Sequence, residues 1–296
     1  MKSSAIAILT TALTLCLSAA PASRAQQQQQ QQQSQEQTQS QQQQPPAKPG
    51  ETQAAPAQQA APEAPKVDPE EEKAYQDFSS LKPDDFDKQI ELGEAFVAKY
   101  PNSKYEEIVY SRLTNDYFNK QQLEKMYAAS DKALALNPND VTVLVLVGWV
   151  IPHSINANDV DADRRLAKAE GYEKHALELL PTLAKPATIS DEEFATAKAK
   201  ETATAHSGLG LIYFREQKPD DSLKELQAAT AAEDQADPVD LFIMGVDLDG
   251  LKRYKDAVDA FQKCAQAPNA GVMQDRCKQQ ADKAKAEAAS QPAPKQ

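Results

Sequence analysis

"MGVDLDGLKRYKDAVDAFQKCAQAPN", Met244 to Asn269, sets Gly245 inside an apolar stretch with helical spacing. Glycine there costs about 1 kcal/mol relative to alanine. "LGLIYFREQKPDDSLKELQAATA", Leu209 to Ala231, sets Gly210 the same way 35 residues earlier. The two stretches share their offsets. Leu248 and Tyr213 lie three residues beyond the glycine, Ala257 and Ser222 twelve, Phe261 and Leu226 sixteen, and Cys264 and Ala229 nineteen. Leu241 and His206 lie four before it, and Pro268 closes the later unit. Each unit reads as two helices joined by a turn, because Lys218-Pro219-Asp220-Asp221 supplies the proline and acids that suit a helix start. The glycine is then expected where the first helix crosses the second, opposite the small residue twelve positions on, with close backbone approach offsetting its cost.

The frame extends upstream. Tyr110, Leu113, Tyr117, Ala133 and Pro138 fit it, with Thr114 at the glycine position and Met126 at the first small one. Leu144, Val147, Gly148 and Ile151 open the next unit, 34 residues after Thr114. Pro152 is expected to stop its first helix. About nine extra residues then precede a second helix, Asp163 to Leu180, with Ala176 and Pro181 as closing marks. Pro69 to Leu81 and Phe86 to Tyr100 read as a further pair, ended by Pro101-Asn102-Ser103. Ser190-Asp191-Glu192-Glu193 reads as a capping box, opening a long helix into the Gly210 unit. Val272 to Ala288 reads as a charged helix of the kind that caps a solenoid.

This pattern resembles the tetratricopeptide repeat (TPR), whose signature runs Trp-like residue, Leu-Gly, Tyr, Ala, Phe, Ala, Pro over 34 residues. "AFVAKYPNSKY", Ala95 to Tyr105, is similar to repeats of bacterial envelope-assembly proteins of this class. The resemblance implies an all-α, right-handed α-solenoid of helix-turn-helix repeats over 67–288, with repeats at about 69–103, 104–139, 140–185 (with an insert), 186–237 and 238–270, and a cap helix at 271–288. It also implies a concave groove lined by the first helices. The residue after each glycine-like position projects into that groove: Asn115, Trp149, Leu211 and Val246, joined by Phe118, Phe214 and Phe242. The groove is expected to be mostly apolar, suited to a partner's amphipathic helix or extended apolar segment. Of the lysines, arginine and asparagines in the family's peptide-terminus clamp, only Asn115 has a counterpart. Trp149 fits two readings, a binding anchor or a ring packed under the insert.

Residues 1–25 read as a secretory signal: Lys2, an apolar run from Ala5 to Leu17, and Ser23-Arg24-Ala25 before Gln26. That run is too short to span a bilayer, and no other stretch reaches about 20 apolar residues. A mature chain without an integral span, in the periplasm or secreted, is expected. Residues 26–66, rich in Gln, Ala and Pro, read as a disordered linker, and 289–296 as a disordered tail. Leu15 is not the small residue that precedes a lipid-anchored cysteine, which speaks against an anchor at Cys16. The net charge of −12 becomes −14 once Lys2 and Arg24 leave with the signal. Acidic balance without basic clusters argues against nucleic acid or anionic membranes as partners. Cys264 and Cys277 lie almost symmetrically about the turn at 267–270, across from one another in an antiparallel pair. Export permits a disulfide there; two small buried thiols are the alternative.

Catalytic constellations are not evident. His153, His175 and His206 belong to different units, with His206 at a packing position and His175 expected to face solvent. Asp159, Asp161, Asp163 and Glu170 match positions 1, 3, 5 and 12 of a calcium loop, but Arg164 stands where that loop turns on glycine, so the acids read as a helix N-terminus. No cofactor, metal or catalysis is expected. The sequence points to a protein–protein interaction module; the alternative is a passive structural component of an envelope assembly.

Overall fold

The computed structural model describes residues 68–156, 158–232 and 235–290. These lie in one compact unit, Pro65–Gln296. The signal, the linker, Cys16 and residues 291–296 lie outside the described residues. The described residues form eleven α-helices and no strand. They are α1 (Pro69–Ser79), α2 (Phe86–Lys99), α3 (Glu106–Asn119), α4 (Leu123–Leu136), α5 (Val141–Ser154), α6 (Ala162–Leu179), α7 (Asp191–Arg215), α8 (Pro219–Ala232), α9 (Pro238–Gly250), α10 (Tyr254–Gln266) and α11 (Met273–Ser290). Each odd-numbered helix up to α9 pairs with the next, and α11 packs on α10.

Starts are written in the sequence. Asp68, Asp85, Asp140 and Asp237 each accept a hydrogen bond from a first-turn N–H, satisfying donors that a helix leaves orphaned. Ser190 and Glu193 form the reciprocal capping box at the start of α7.

The turn inside three hairpins is the same device. The Tyr117, Tyr213 and Leu248 carbonyls accept from the N–H of Gln122, Lys218 and Arg253 at 2.8, 2.9 and 2.8 Å. The intervening Gln121, Gln217 and Lys252 have φ of 58°, 59° and 61°. This is the left-handed cap that usually carries glycine. Here each such residue lies seven beyond its glycine-frame position (Thr114, Gly210 and Gly245), a register the sequence did not advertise because none of the three is glycine. Gln121→Gly and Gln217→Gly are each expected to raise stability by about 0.5–1 kcal/mol in urea unfolding.

The framing glycines are explained differently from expectation. A Cβ built on Gly245 would lie 2.5 Å from the Phe261 ring, and one on Gly210 2.4 Å from Leu226 Cδ2. The glycine therefore clears space for a large side chain sixteen positions on, rather than for close approach to the small residue at twelve. Where Thr114 replaces the glycine, the residue sixteen on is the small Ser130, and both are buried. Large and small exchange places across one crossing, as close packing requires.

Pro152 does not stop α5. The helix runs two residues past it, to Ser154. Pro152 cannot donate to the Gly148 carbonyl, but only two residues follow it, and two other last-turn carbonyls find side-chain partners: His153 Nδ1 bonds Trp149 O at 2.7 Å, and Ser154 Oγ donates to Ile151 O at 2.9 Å. The insert before α6 is held by Arg165, which pairs with Asp159 at 2.6 Å and donates to Ser154 Oγ at 2.8 Å. Upstream, Arg112 on α3 donates to Leu81 O at 3.0 Å and to Gln89, fastening the α1–α2 turn. Cys264 and Cys277 are joined as a disulfide, Cα–Cα 5.9 Å. Cys264 fills the buried slot that Ala133, Ala176 and Ala229 fill elsewhere.

Candidate functional site

A recess of about 530 Å³ opens among the first helices of successive pairs. Its walls follow helical spacing. Asn115, Phe118 and Asn119 come from α3; Thr142, Val145, Leu146 and Trp149 from α5; Ala197, Lys200, Glu201, Thr204 and Ser207 from α7; and Asp240 from α9, with its N-cap Asp237. On each helix these are i, i+3 and i+4 neighbours, which share one face. α7 reaches the recess because it has 25 residues, against 14 for α5.

The α3–α5 side is aromatic. Phe118 meets Trp149 edge-on with ring centroids 6.2 Å apart, and the His153 ring lies 4.0 Å from Trp149. Trp149 is half-buried and also packs on the main core, so both readings of this residue describe part of it. His153 keeps an exposed edge, yet the surrounding protein excludes enough water to lower its pKa. Desolvation likewise lowers that of Arg215, also exposed, at the end of α7.

The opposite side carries the polar groups, so the mostly apolar lining is divided between an aromatic wall and a carboxyl-bearing one. Asp240 is buried and accepts from Ser207 Oγ at 2.8 Å, while Asp237 caps α9 through the Val239 N–H at 2.7 Å. Glu201 has no hydrogen-bond or ion-pair partner among the described residues. Burial pushes its pKa up to about 7, with Lys200 pulling it down and Asp140 pushing it further up.

Behind this wall lies Glu173 of α6. It is 0% exposed, and neither carboxylate oxygen has a partner. A Cβ on Gly148 would lie 2.6 Å from its carboxyl, and one on Gly208 2.3 Å from Oε1. Two glycine faces thus form a slot for it. Burial, with the Glu201 charge nearby, holds the Glu173 pKa well above the usual carboxyl range.

The other projected groove residues do not line the recess. Leu211, 8% exposed, packs on Leu226 and Ile243 with Phe214 against the same cluster; α9 covers this part of α7. Phe242 lies between the Phe261 ring, 5.6 Å away, and the Arg276 guanidinium of α11 at 4.8 Å. Val246 packs in that C-terminal core. His206 pairs with Glu225 at 2.7 Å, and the half-buried His175 bonds Asn139 at 2.8 Å. The acidic run at Asp159 is engaged internally. Asp161 pairs with Arg164, Glu170 with Lys174 and Tyr213, and α6 is already wound from Ala162. Among the described residues no group of three His, Cys, Asp or Glu could hold a metal ion, and no helix is long and apolar enough to cross a membrane.

A cleft of about 610 Å³ between α4 and α6 is lined by Leu134, Ala135 and Tyr172. Its carboxylate and cation, Asp131 and Lys168, are already paired at 3.2 Å, so it offers no unpartnered charge.

No family model and no curated protein matches the chain. Solved structures similar to it include a thermophilic TPR protein of Thermus thermophilus, TTC0263, at 14% identity and TM-score 0.45, covering 73% of this chain and 99% of that one. The MamA protein is similar at 16% identity and TM-score 0.35, over 66% and 100%. The P58(IPK) TPR domain is similar at 13% identity and TM-score 0.31, over 73% and 65%. In this chain itself, the hairpins at Thr114, Gly210 and Gly245 repeat one register of crossing residues and one left-handed turn. The chain is an all-α protein built of repeated helix hairpins.

Proposed function

We propose that this chain is a non-catalytic binding module that holds a segment of a protein partner in the recess between α3, α5 and α7. The carrying observation is the Phe118–Trp149 wall, which faces a water-accessible recess instead of being closed by a neighbouring helix as Leu211 and Phe242 are. Large aromatic rings at the centre of such a site supply most of the binding energy in protein interfaces. Export to the periplasm or the extracellular space, through the signal-like residues 1–25 and with 26–66 as a spacer, belongs to the same proposal.

The test is a photo-reactive residue at position 149 of the full chain, crosslinked in cells. One dominant partner, lost when Phe118 becomes aspartate in the same chain, is the expected result. Crosslinks confined to the chain itself would sink the proposal and leave a passive spacer.

A further inference from the structure

Resting on that reading, we infer that the recess selects a partner segment presenting a lysine or arginine beside a large apolar side chain, with the cation seated against Glu201. Three observations carry this. First, the walls have unlike chemistry: the Phe118–Trp149 pair on one side, and Glu201, Asp237 and Asp240 on the other, with Lys200 the one Lys or Arg among the described lining residues. Long cationic side chains suit such a division, laying their methylenes on apolar surface and their charge on a carboxylate.

Second, the three carboxyls are not equivalent. Asp240 is held by Ser207 and Asp237 by the α9 N–H, while Glu201 has neither a donor nor an ion-pair partner among the described residues. Lys200, its sequence neighbour, is exposed and forms no ion pair with it. A half-buried carboxylate of this kind gains from an incoming cation what the protein does not supply, and charge-assisted bonds are the stronger class. Third, the chain is acidic overall at −12, which favours approach of basic segments and disfavours acidic ones.

Random dodecapeptides displayed on phage would be selected on the full chain at about pH 8, where Glu201 is ionised, with the Trp149→Ala variant as counter-selection. Sequences with Lys or Arg next to Leu, Ile, Phe or Trp are expected to enrich. A synthetic peptide of that kind should lose at least about tenfold in affinity on Glu201→Gln, or when its lysine becomes norleucine. The norleucine peptide should be indifferent to Glu201→Gln. Trp149-dependent peptides without a cation, unaffected by Glu201→Gln, would overturn this inference and leave the binding recess standing. So would enrichment of sequences like the chain's own residues 26–66, or a dimer abolished by Trp149→Ala. Selection of no Trp149-dependent peptide would overturn both.

Discussion

Truncating Phe261 to alanine is expected to lower the unfolding free energy by about 4 kcal/mol, read from urea or thermal unfolding. Phe261 is 1% exposed and fills the crossing of α9 and α10 over Gly245, with the Phe242 ring 5.6 Å away. The more telling result concerns the glycine. Gly245→Ala in the native background should cost about 2 kcal/mol, because its Cβ meets a ring with no room to retreat. In the Phe261→Ala background the same change should be neutral to stabilising, since alanine favours the helix by about 1 kcal/mol and the obstruction is gone. The coupling between the two sites should therefore exceed about 2 kcal/mol. Strictly additive costs would show that the glycine serves some other purpose.

Glu173→Leu is expected to raise stability by about 3 kcal/mol near neutral pH. Glu173 occupies the position sixteen beyond Gly148 once the nine-residue insert is counted, the slot that Leu226 and Phe261 fill over Gly210 and Gly245. A leucine there restores the pattern and removes an unpartnered buried carboxyl. The pH dependence has a definite sign. Burial raises the folded-state pKa of Glu173 above its unfolded value, so the folded chain retains a proton that the unfolded chain releases. Stability is then full below the unfolded pKa and is lost as pH rises toward the folded one. Asp116 and Asp247, each pushed up to about 6 by burial, act in the same direction. The native chain should unfold more easily at about pH 8 than at about pH 5, and Glu173→Leu should flatten that slope without abolishing it. Glu173→Gln should flatten it equally but gain less, because an unpaired amide remains buried. A loss of stability in Glu173→Leu at about pH 8 would mean that the carboxylate is held by something and is not a burden.

The frame of crossings was legible because offsets along two stretches coincide, and a coincidence of spacing needs no knowledge of neighbours. What fills each crossing was not. Spacing shows that Ala257 and Phe261 both return to the α9 face, but only the fold shows that the ring lies over the glycine. Glu173 escaped because the insert moves it out of the common count. Glu201 escaped because the recess-lining stripe of α7 runs from Ala197 to Ser207, upstream of Gly210, and Asp240 because it likewise precedes the glycine of its own helix, Gly245. The signal in hindsight is the recurrence of Ala197, Glu201, Thr204 and Ser207 at helical spacing, with Asp237 ahead of Pro238. Leu211 holds the frame position that Trp149 holds in its own unit, yet it lies outside the recess. The two differ because Ile243 of the next hairpin lies across Leu211.

The bond between Cys264 and Cys277 makes the two ends of the array unequal. A stack of hairpins whose units touch chiefly their neighbours opens from its ends, much as a zip does. At one end, α1 fully buries only Phe78 within its eleven residues and holds on otherwise through surface contacts, the Tyr75–Tyr105 stack and the Lys99–Glu70 pair among them. At the other, the last two helices are stitched together and cannot part however far they loosen. The zip therefore has one sewn end: α1 can leave as a single helix, whereas the other end can leave only as the α10–α11 pair.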